Sequence, residues 1–298
     1  MEQKKDITIL VSSCDKYEDA WEPFFKLLNI QWPDCPYKII LNTEHKNFSC
    51  DYMSVETVQT GDQPTWTQRL KAALEKIDSE FILFSLEDFF LLSPVNTVYW
   101  DTAVNHMKKH TNIGFMWFPA NGIFQPQKHK KRIEPNLFLT KRSTCNRVNA
   151  LIGLWRKEFL LQMLFRDGDA WYFEWSAIKL SRYSDFSVSF WDHKNCPIFD
   201  YEVNPNSGYG IVRGKWLSKN QELFKKYNII VNFNNLGIIE EDVSYVSLGL
   251  VKPESKNKIV KQILQTRKNL RRKINDSRRF IKLYPAFKNY CKSLKKQS

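Results

Sequence analysis

An apolar run that ends in two acids, Phe81–Leu86 followed by Glu87 and Asp88, constrains the fold of this chain more than any other feature. A run of this length and composition is typical of a central parallel strand that is covered on both faces. Acids that follow such a strand are expected in the crevice at the carboxyl edge of the sheet, where open α/β proteins bind ligands. Because unpaired buried carboxylates are costly, we interpret Glu87 and Asp88 as part of a site. The alternative is that they cap the next helix or face solvent.

The segment before this run alternates between strand and helix patterns. The sequence predicts, in order, a strand at 7–11, a polar turn at 12–17, a helix at 19–30, strands at 37–41 and 53–58, and a helix at 66–77. Such βαβ alternation indicates a parallel sheet with right-handed crossover connections. We therefore expect an α/β fold in which a mostly parallel sheet is flanked by helices.

The pattern after Pro94 is mixed. It predicts a helix at 98–109, a strand at 113–118, a long polar and basic loop at 125–148, a strand at 151–155, helices at 157–165 and 171–180, and a strand pair within 186–201. No internal repeat interrupts this order. The sequence therefore predicts one large domain over residues 1–250, and the composition changes only after it.

The net charge of +13 lies almost wholly in the last part of the chain. Residues 252–298 contain sixteen Lys and Arg against two acids, a net charge of +14, which leaves residues 1–251 at about −1. Aliphatic residues recur there near helical spacing until Pro285, so we predict a basic amphipathic helical tail over 251–298. Such helices bind anionic membrane surfaces, and we assign that role to residues 255–298. A solvated or partner-facing helix is the alternative, and no motif indicates specific nucleic-acid binding.

The remaining bulk features indicate a cytoplasmic protein. No window approaches eighteen apolar residues, and the first six residues do not have the shape of a signal peptide. We therefore expect the chain to be cytoplasmic and peripheral on the inner face of the plasma membrane. The six cysteines have neither the spacing of zinc ligands nor that of a disulfide framework, so free thiols are expected.

Three segments resemble the nucleotide-sugar core of GT-A type glycosyltransferases: residues 66–88 (WTQRLKAALEKIDSEFILFSLED), 11–21 (VSSCDKYEDAW) and 86–90 (LEDFF). The last two look most like bacterial enzymes of capsule and lipopolysaccharide O-antigen synthesis. The resemblance covers about residues 5–240. It implies a GT-A-like fold and the transfer of a sugar from a nucleotide-sugar donor, UDP-linked, to a lipid-linked saccharide or polysaccharide acceptor. Inversion at the anomeric carbon is preferred, since a candidate base exists and no nucleophile does.

The resemblance departs from the family pattern at the D-x-D motif. Leu86 stands where the first aspartate belongs, or, if the alignment is shifted by one residue, Phe89 stands where the last belongs. Asp88 and Glu87 could still hold Mn²⁺ or Mg²⁺ on a diphosphate. Alternatively, cationic side chains neutralise the diphosphate, and Arg213 and Lys215, which stand among glycines, are the candidates.

Further donor contacts are implied by the same resemblance. Ser12, Asp15 and Tyr17 lie in the turn that grips the base and ribose in the family, and Arg69 resembles the basic residue that reaches the nucleotide. The alternatives are that Asp15 or Asp19 caps the following helix, which is compatible with a donor contact, and that Arg69 is an exposed helix residue.

Inversion needs a base that takes the proton of the acceptor hydroxyl. Residues 167–175 (DGDAWYFEW) lie where GT-A folds commonly place it, and they offer Glu174 first and Asp169 second. Aromatic neighbours of Glu174 would raise its pKa and suit contact with sugar rings. The alternative is that these aromatic residues belong to the core and that Glu174 points outward.

Two other functions remain open at this stage. A nucleotidyltransferase would share the sheet and the acids, but its usual glycine-rich loop after the first strand is absent from residues 12–16 (SSCDK). A non-catalytic protein that binds membrane or nucleic acid through its basic tail is the alternative from another class.

Overall fold

The computed structural model describes residues 4–120, 130–144, 147–201, 210–240 and 285–296. The chain divides into two compact units, 1–242 and 243–298. In the second unit residues 285–294 form a helix, and the basic amphipathic stretch predicted for 255–284 lies outside the described residues. Among the helices that are described, none combines the length and the apolar character needed to span a membrane. The predicted boundary at residue 250 stays a prediction.

The first unit alternates strands and helices up to β4. Its elements are β1 (Lys4–Ser12), a 3₁₀ helix (Asp15–Ala20), α1 (Trp21–Gln31), β2 (Tyr37–Thr43), β3 (Glu56–Gln59), α2 (Trp66–Glu75) and β4 (Phe81–Leu86). Then follow α3 (Thr97–Lys109), β5 (Ile113–Trp117), β6 (Lys130–Glu134), β7 (Leu137–Thr140), β8 (Gly153–Arg156), α4 (Lys157–Met163), α5 (Ala170–Leu180) and β9 (Ser187–Trp191). The last elements are β10 (Ile211–Val212), β11 (Lys215–Leu217), α6 (Asn220–Lys226) and β12 (Ile238–Ile239).

Among the described residues, nine strands form one sheet in the order β3-β2-β1-β4-β8-β5-β9-β7-β6, and β10, β11 and β12 form a second sheet. The strands β3, β2, β1 and β4 are parallel, as the βαβ pattern predicts. Beyond them β8 runs antiparallel to both β4 and β5. The sheet is therefore mixed rather than mostly parallel in its pairing: β5 and β9 again form a parallel pair, whereas β7 runs antiparallel to β9. The reason is that β8 begins at Gly153 beside Phe84, near the carboxyl end of β4, and runs back along β4 to pair Arg156 with Phe81.

Two predictions beyond β5 were wrong. The predicted loop at 125–148 contains the antiparallel hairpin β6–β7, which turns at Asn136 and continues the sheet beyond β9. The predicted strand pair within 186–201 is the single strand β9, and Tyr201 forms only an isolated bridge with Leu91. The hairpin was not predicted because β6 is an edge strand, and edge strands tolerate the charged residues that are typical of loops.

The central strands β1, β2 and β4 end at the same level in the sheet. Residues on both faces of β1 and β4 are buried, as expected of strands that lie between layers of helices. In the ladder, Ser12 pairs with Asn42 on β2 and with Leu86 on β4. The segments that follow these three strands therefore leave the sheet at the same level. That level defines the edge at which the predicted site lies.

Candidate active site

The acids after β4 are buried at this edge. Glu87 is 7 % exposed and Asp88 is 9 % exposed. Burial raises the pKa of Asp88 to about 7. Burial, and then the charge of Asp88, raise the pKa of Glu87 well above its usual range, against a hydrogen bond from Ser13. Both carboxyl groups therefore favour a proton or a positive partner, as groups in ligand sites do.

Asp88 also fixes the hairpin formed by β10 and β11. Its Oδ2 accepts a hydrogen bond from the Ile211 amide at 3.1 Å, and its carbonyl accepts one from the Gly210 amide at 3.2 Å. A Cβ atom at Gly210 would lie 2.8 Å from the Asp88 carbonyl and 2.4 Å from the ring of Phe90. Only glycine at position 210 allows the hairpin to approach the Asp88 backbone this closely. Gly210 therefore makes the contact between the hairpin and the acid pair possible.

The tip of that hairpin lies over the loop that follows β1. Arg213 and Gly214 form a two-residue turn with φ values of 54° and 75°, which is the turn type that suits a tight β-hairpin. A Cβ atom at Gly214 would lie 3.2 Å from Lys16 Nζ and 3.9 Å from Tyr17 Oη. The side chains of Arg213, Lys215 and Lys16 are exposed. The hairpin thus brings cationic side chains to the mouth of the site.

Tyr17 belongs to the same cluster. Its pKa is raised by burial, and then by the nearby Cys14, Glu87 and Asp88. The phenol is therefore within electrostatic reach of both acids, and its predicted contact with the donor stays a prediction. Ser12 is fully buried as the last residue of β1, and Ser13 is the serine that contacts Glu87.

Asp15 clamps two loops together. Its carboxylate accepts hydrogen bonds from the backbone amides of Glu44, His45 and Lys46 at 3.0–3.2 Å. In return, Glu44 Oε2 accepts from the Asp15 amide at 2.8 Å. Both oxygens of Asp15 therefore already hold the loop after β2, which is a different cap from the predicted helix cap. Its predicted contact with the ribose stays a prediction.

Arg69 reaches the site through Glu44. Its Nη1 lies 3.2 Å from Glu44 Oε1, and its side chain is 16 % exposed, so it is not the exposed helix residue of the alternative prediction. The Cys14 thiol lies among these groups: burial, followed by the charges of Glu87 and Glu44, raises its pKa to about 11, although Arg69 acts to lower it. Arg69, Glu44 and Glu87 therefore converge around Cys14.

The sequence reasoning missed Ser13, Cys14, Lys16 and Glu44 at this edge. Glu44 comes directly after β2, as Glu87 comes directly after β4. Residues that follow parallel strands meet at one edge of a sheet, so the rule that selected Glu87 could also have selected Glu44.

The two base candidates have different surroundings on α5. Glu174 is half-buried, its Oε1 accepts a hydrogen bond from the Ala150 amide at 2.8 Å, and burial raises its pKa. Asp169 is exposed and caps α5, since its Oδ1 accepts from the Tyr172 amide at 2.7 Å. Glu174 therefore has the environment of a general base, and Asp169 has that of a helix cap.

Contacts at the start of α5 tie this helix to the same edge of the sheet. The Gly168 amide donates to Thr67 Oγ1 at 2.9 Å, and Trp66 packs on Phe173 with ring centroids 5.3 Å apart. The β4–β8 ladder ends where Phe84 pairs with Gly153, and the same register extended three residues would bring position 150 level with Glu87. Glu174 is thus bonded to the segment that leads into β8, the strand next to β4.

The acids fit a metal ion only in part. Among the residues that the structure describes, no three or more His, Cys, Asp or Glu side chains are grouped to hold a metal. Glu87 and Asp88 would supply two carboxylates, and one oxygen of Asp88 is already bonded to Ile211. Mg²⁺ in phosphate-transfer sites is often held by one or two carboxylates with substrate oxygens completing the shell. The pair therefore fits a metal that arrives with a diphosphate, rather than one held by protein alone.

A cavity of about 270 Å³ lies at the other end of the sheet. Its lining contains none of the predicted site residues and consists of Asp6, Tyr37, Asp101, Val104, Asn105 and Lys108. The lining includes an ion pair between Lys108 and Asp6, and it also includes Tyr37 with its hydroxyl group. We assign no function to it, because the clustered acids and cations lie at the carboxyl edge.

No family model matches this chain, and no curated protein matches it. Among solved structures, it resembles S. aureus TarS 1-349 in complex with UDP-GlcNAc, with 16 % identity, a TM-score of 0.41 and coverage of 67 % of this chain and 57 % of that one. It also resembles UDP-glucose pyrophosphorylase complexed with UDP-glucose, with 6 % identity, a TM-score of 0.44 and coverage of 68 % and 92 %. The chain thus spans little more than half of that TarS structure. At these values the activities of the two proteins are not transferred to this chain.

Proposed function

We propose that this protein is a glycosyltransferase that moves a sugar from a UDP-linked donor to a lipid-linked saccharide or polysaccharide acceptor in surface glycan synthesis. One observation carries the proposal. Two buried acids, a cationic hairpin bonded to one of them, and a separate carboxylate with a raised pKa occupy the same edge of one sheet. Sugar transfer needs these parts: a donor site, charge for the leaving diphosphate, and a base on the acceptor side.

On the donor side, the loop after β1 and the acid pair face the hairpin. Carboxylates can accept hydrogen bonds from sugar or ribose hydroxyls, and Tyr17 can stack on the base. The exposed Arg213 and Lys215, with Lys16 opposite, provide the positive charge that a leaving UDP requires. A divalent metal bound by Glu87 and Asp88 would stabilise the same charge.

On the acceptor side, Glu174 serves as the base. Its carboxylate takes the proton of the acceptor hydroxyl while that oxygen forms a bond to the anomeric carbon. The bond from this carbon to the diphosphate breaks, and its electron pair leaves with UDP. Since attack and departure occur on opposite faces, the configuration inverts. The Ala150 amide orients Glu174 for this step through the 2.8 Å hydrogen bond.

The basic tail gives the proposed location. Residues 252–298 carry +14, and residues 285–294 form a helix. A tail of this charge would bind anionic lipids of the inner leaflet and concentrate the enzyme near a lipid-linked acceptor. The resemblance to enzymes of capsule and O-antigen synthesis suggests which surface glycans are made.

The test combines donor binding with product analysis. Thermal shift of the full chain across a panel of nucleotide sugars, with and without Mn²⁺, should show stabilisation by one UDP-sugar and report the need for metal. Turnover should release UDP and no pyrophosphate, whereas a nucleotidyltransferase would consume UTP and release pyrophosphate.

Deletion of residues 255–298 is the matching control. The truncated chain should hydrolyse the donor in solution at the rate of the full chain and lose its affinity for anionic vesicles. The proposal would be contradicted if the protein were stabilised by none of the nucleoside diphosphates or nucleotide sugars at millimolar concentration.

A further inference from the structure

Arg147 is a fully buried cation in the loop between β7 and β8. Its side chain is 1 % exposed, and within the part of the chain that the structure describes its Nε and Nη1 atoms make no hydrogen bond. No acid within the described residues is among the charges that act on it. A buried guanidinium normally pairs with a carboxylate, a phosphate or several carbonyls, because an isolated charge in the interior is very costly.

Two neighbouring arginines make the buried position of the Arg147 charge still less favourable. Burial, and then the charges of Arg142 and Arg182, lower the pKa of Arg147 to about 10. These two side chains are exposed, and Arg142 Nη1 donates to the Arg182 carbonyl, just beyond the end of α5. Three arginines therefore form an arginine cluster, with one member buried and two at the surface.

A buried hydroxyl lies on the same loop. The Oγ1 atom of Thr144, a residue that is 4 % exposed, also makes no hydrogen bond within the described chain. Both unsatisfied side chains are donors, and leaving buried donors unpaired costs free energy. A ligand that accepts several hydrogen bonds and carries negative charge would satisfy both.

We propose that the arginine cluster of Arg142, Arg147 and Arg182 is a phosphate-binding site separate from the donor site. Three positive charges match a group that carries about −1.5 to −2 at neutral pH better than a singly charged carboxylate. The guanidinium fork donates two parallel hydrogen bonds to phosphate oxygens, which lysine does not.

The position relates this site to the acceptor side. Ala150, whose amide holds Glu174, lies three residues after Arg147 on the same loop. Two sources of phosphate fit this place, a phosphate group on the acceptor glycan and the free ion. The thermal experiment below does not depend on the proposed glycosyltransferase activity, whereas the kinetic experiment rests on it.

The thermal experiment uses inorganic phosphate and the full chain. At constant ionic strength, phosphate at ten times its dissociation constant should raise the Tm by about 3 °C above a chloride control. Arg147→Met, which removes the charge and keeps the volume, should lose this rise. It should also be at least as stable as the wild type without phosphate, because an unpaired buried charge is gone.

Two further variants keep the result decisive. Arg132→Met removes an exposed arginine on β6 and should keep the full rise. Arg182→Gln changes an exposed residue and should reduce the rise even if Arg147→Met fails to fold. Equal rises in the wild type and in the variants of both cluster arginines, or no rise in the wild type, would overturn the proposal.

The kinetic experiment identifies the source. If the phosphate belongs to the acceptor, inorganic phosphate should raise the KM for the acceptor, leave the KM for the donor unchanged, and lose this effect in Arg182→Gln. If the free ion is the ligand, the Tm rise should occur with both KM values unchanged.

Discussion

The end of β4 and the start of α5 each carry two candidate acids, and the structure treats the two pairs differently. Glu87 and Asp88 are both buried, and the charge of Asp88 adds to the effect of burial on Glu87. On α5 the acids are five residues apart: Asp169 is exposed and caps its own helix, while Glu174 is half-buried and holds a loop amide. The first pair acts as one unit, and the second divides into a cap and a candidate base.

This difference shows that carboxylates of similar sequence context acquire distinct roles from their hydrogen-bond partners. Two adjacent acids that both favour protonation are suited to a ligand that brings hydroxyls or positive charge. A single acid with a raised pKa and one fixed oxygen is suited to proton transfer, because its other oxygen remains available and its basicity is increased.

The largest effect is expected for Glu174→Gln. The amide oxygen can still accept from Ala150, so the fold is kept, but the side chain no longer takes a proton. We expect kcat for sugar transfer to fall roughly 10³-fold, within the usual range for loss of a general base. Steady-state kinetics with the donor found by thermal shift measures it. Donor-induced stabilisation should be unchanged, and a kcat within threefold of the wild type would remove Glu174 as the base.

The pH profile sharpens the same assignment. The base acts as the carboxylate, and burial raises its pKa above the usual range. The kcat of the wild type should therefore decline as the pH falls through this raised pKa, at a higher pH than an ordinary glutamate would give. The profile of Glu174→Gln should be flat over that interval.

Glu87→Gln should have the next largest effect, on the donor rather than on the proton. The variant keeps the shape and the contact with Ser13 but cannot ionise to meet a cation that arrives with the donor, so we expect kcat/KM for the donor to fall by about 10²-fold. Isothermal titration with UDP, with and without Mn²⁺, separates the two charge-compensation schemes. If a metal is used, the stimulation by Mn²⁺ should disappear in the variant. An unchanged kcat/KM would show that the β4 pair is structural.

Much of this edge could be predicted from the sequence. The hydrogen-bond partners of its side chains could not, because they depend on how neighbouring strands are aligned. The apolar runs of β1 and β4 identify their own ends, so Glu87, Asp88 and Tyr17 were placed correctly relative to the sheet. The roles of Asp15 and Glu44 depend on which backbone amides lie opposite, and that follows from the level at which neighbouring strands end. In the hairpin β6–β7 the outer strand is polar because it has no neighbour beyond it in the sheet, and the apolar signal of β7 is only the short run Leu137–Thr140.

A smaller effect concerns stability. The folded-state pKa of Asp88, about 7, lies above the ordinary value of 3.8, so the folded chain binds its proton more tightly than the unfolded chain does. This contribution to stability is fully present below pH 4 and is lost as the pH rises to about 7. The double variant Glu87→Gln, Asp88→Asn stays neutral. The Tm of the double variant should therefore rise relative to that of the wild type as the pH rises, by roughly 10 °C between pH 4 and pH 8. Calorimetry that shows a constant difference would contradict buried, proton-favouring acids.

The smallest effect on activity is expected at Asp169. Asparagine caps a helix about as well as aspartate. Asp169→Asn should therefore leave the Tm unchanged and alter kcat by no more than about twofold. Asp169→Ala removes the acceptor of the Tyr172 amide and should cost about 1 kcal/mol of stability, still without a large loss of kcat. Denaturant unfolding and steady-state kinetics on the two variants measure both quantities. A kcat that fell 10²-fold in Asp169→Asn with an unchanged Tm would reverse the comparison, because the exposed cap would then be the base and Glu174 only the residue that holds Ala150.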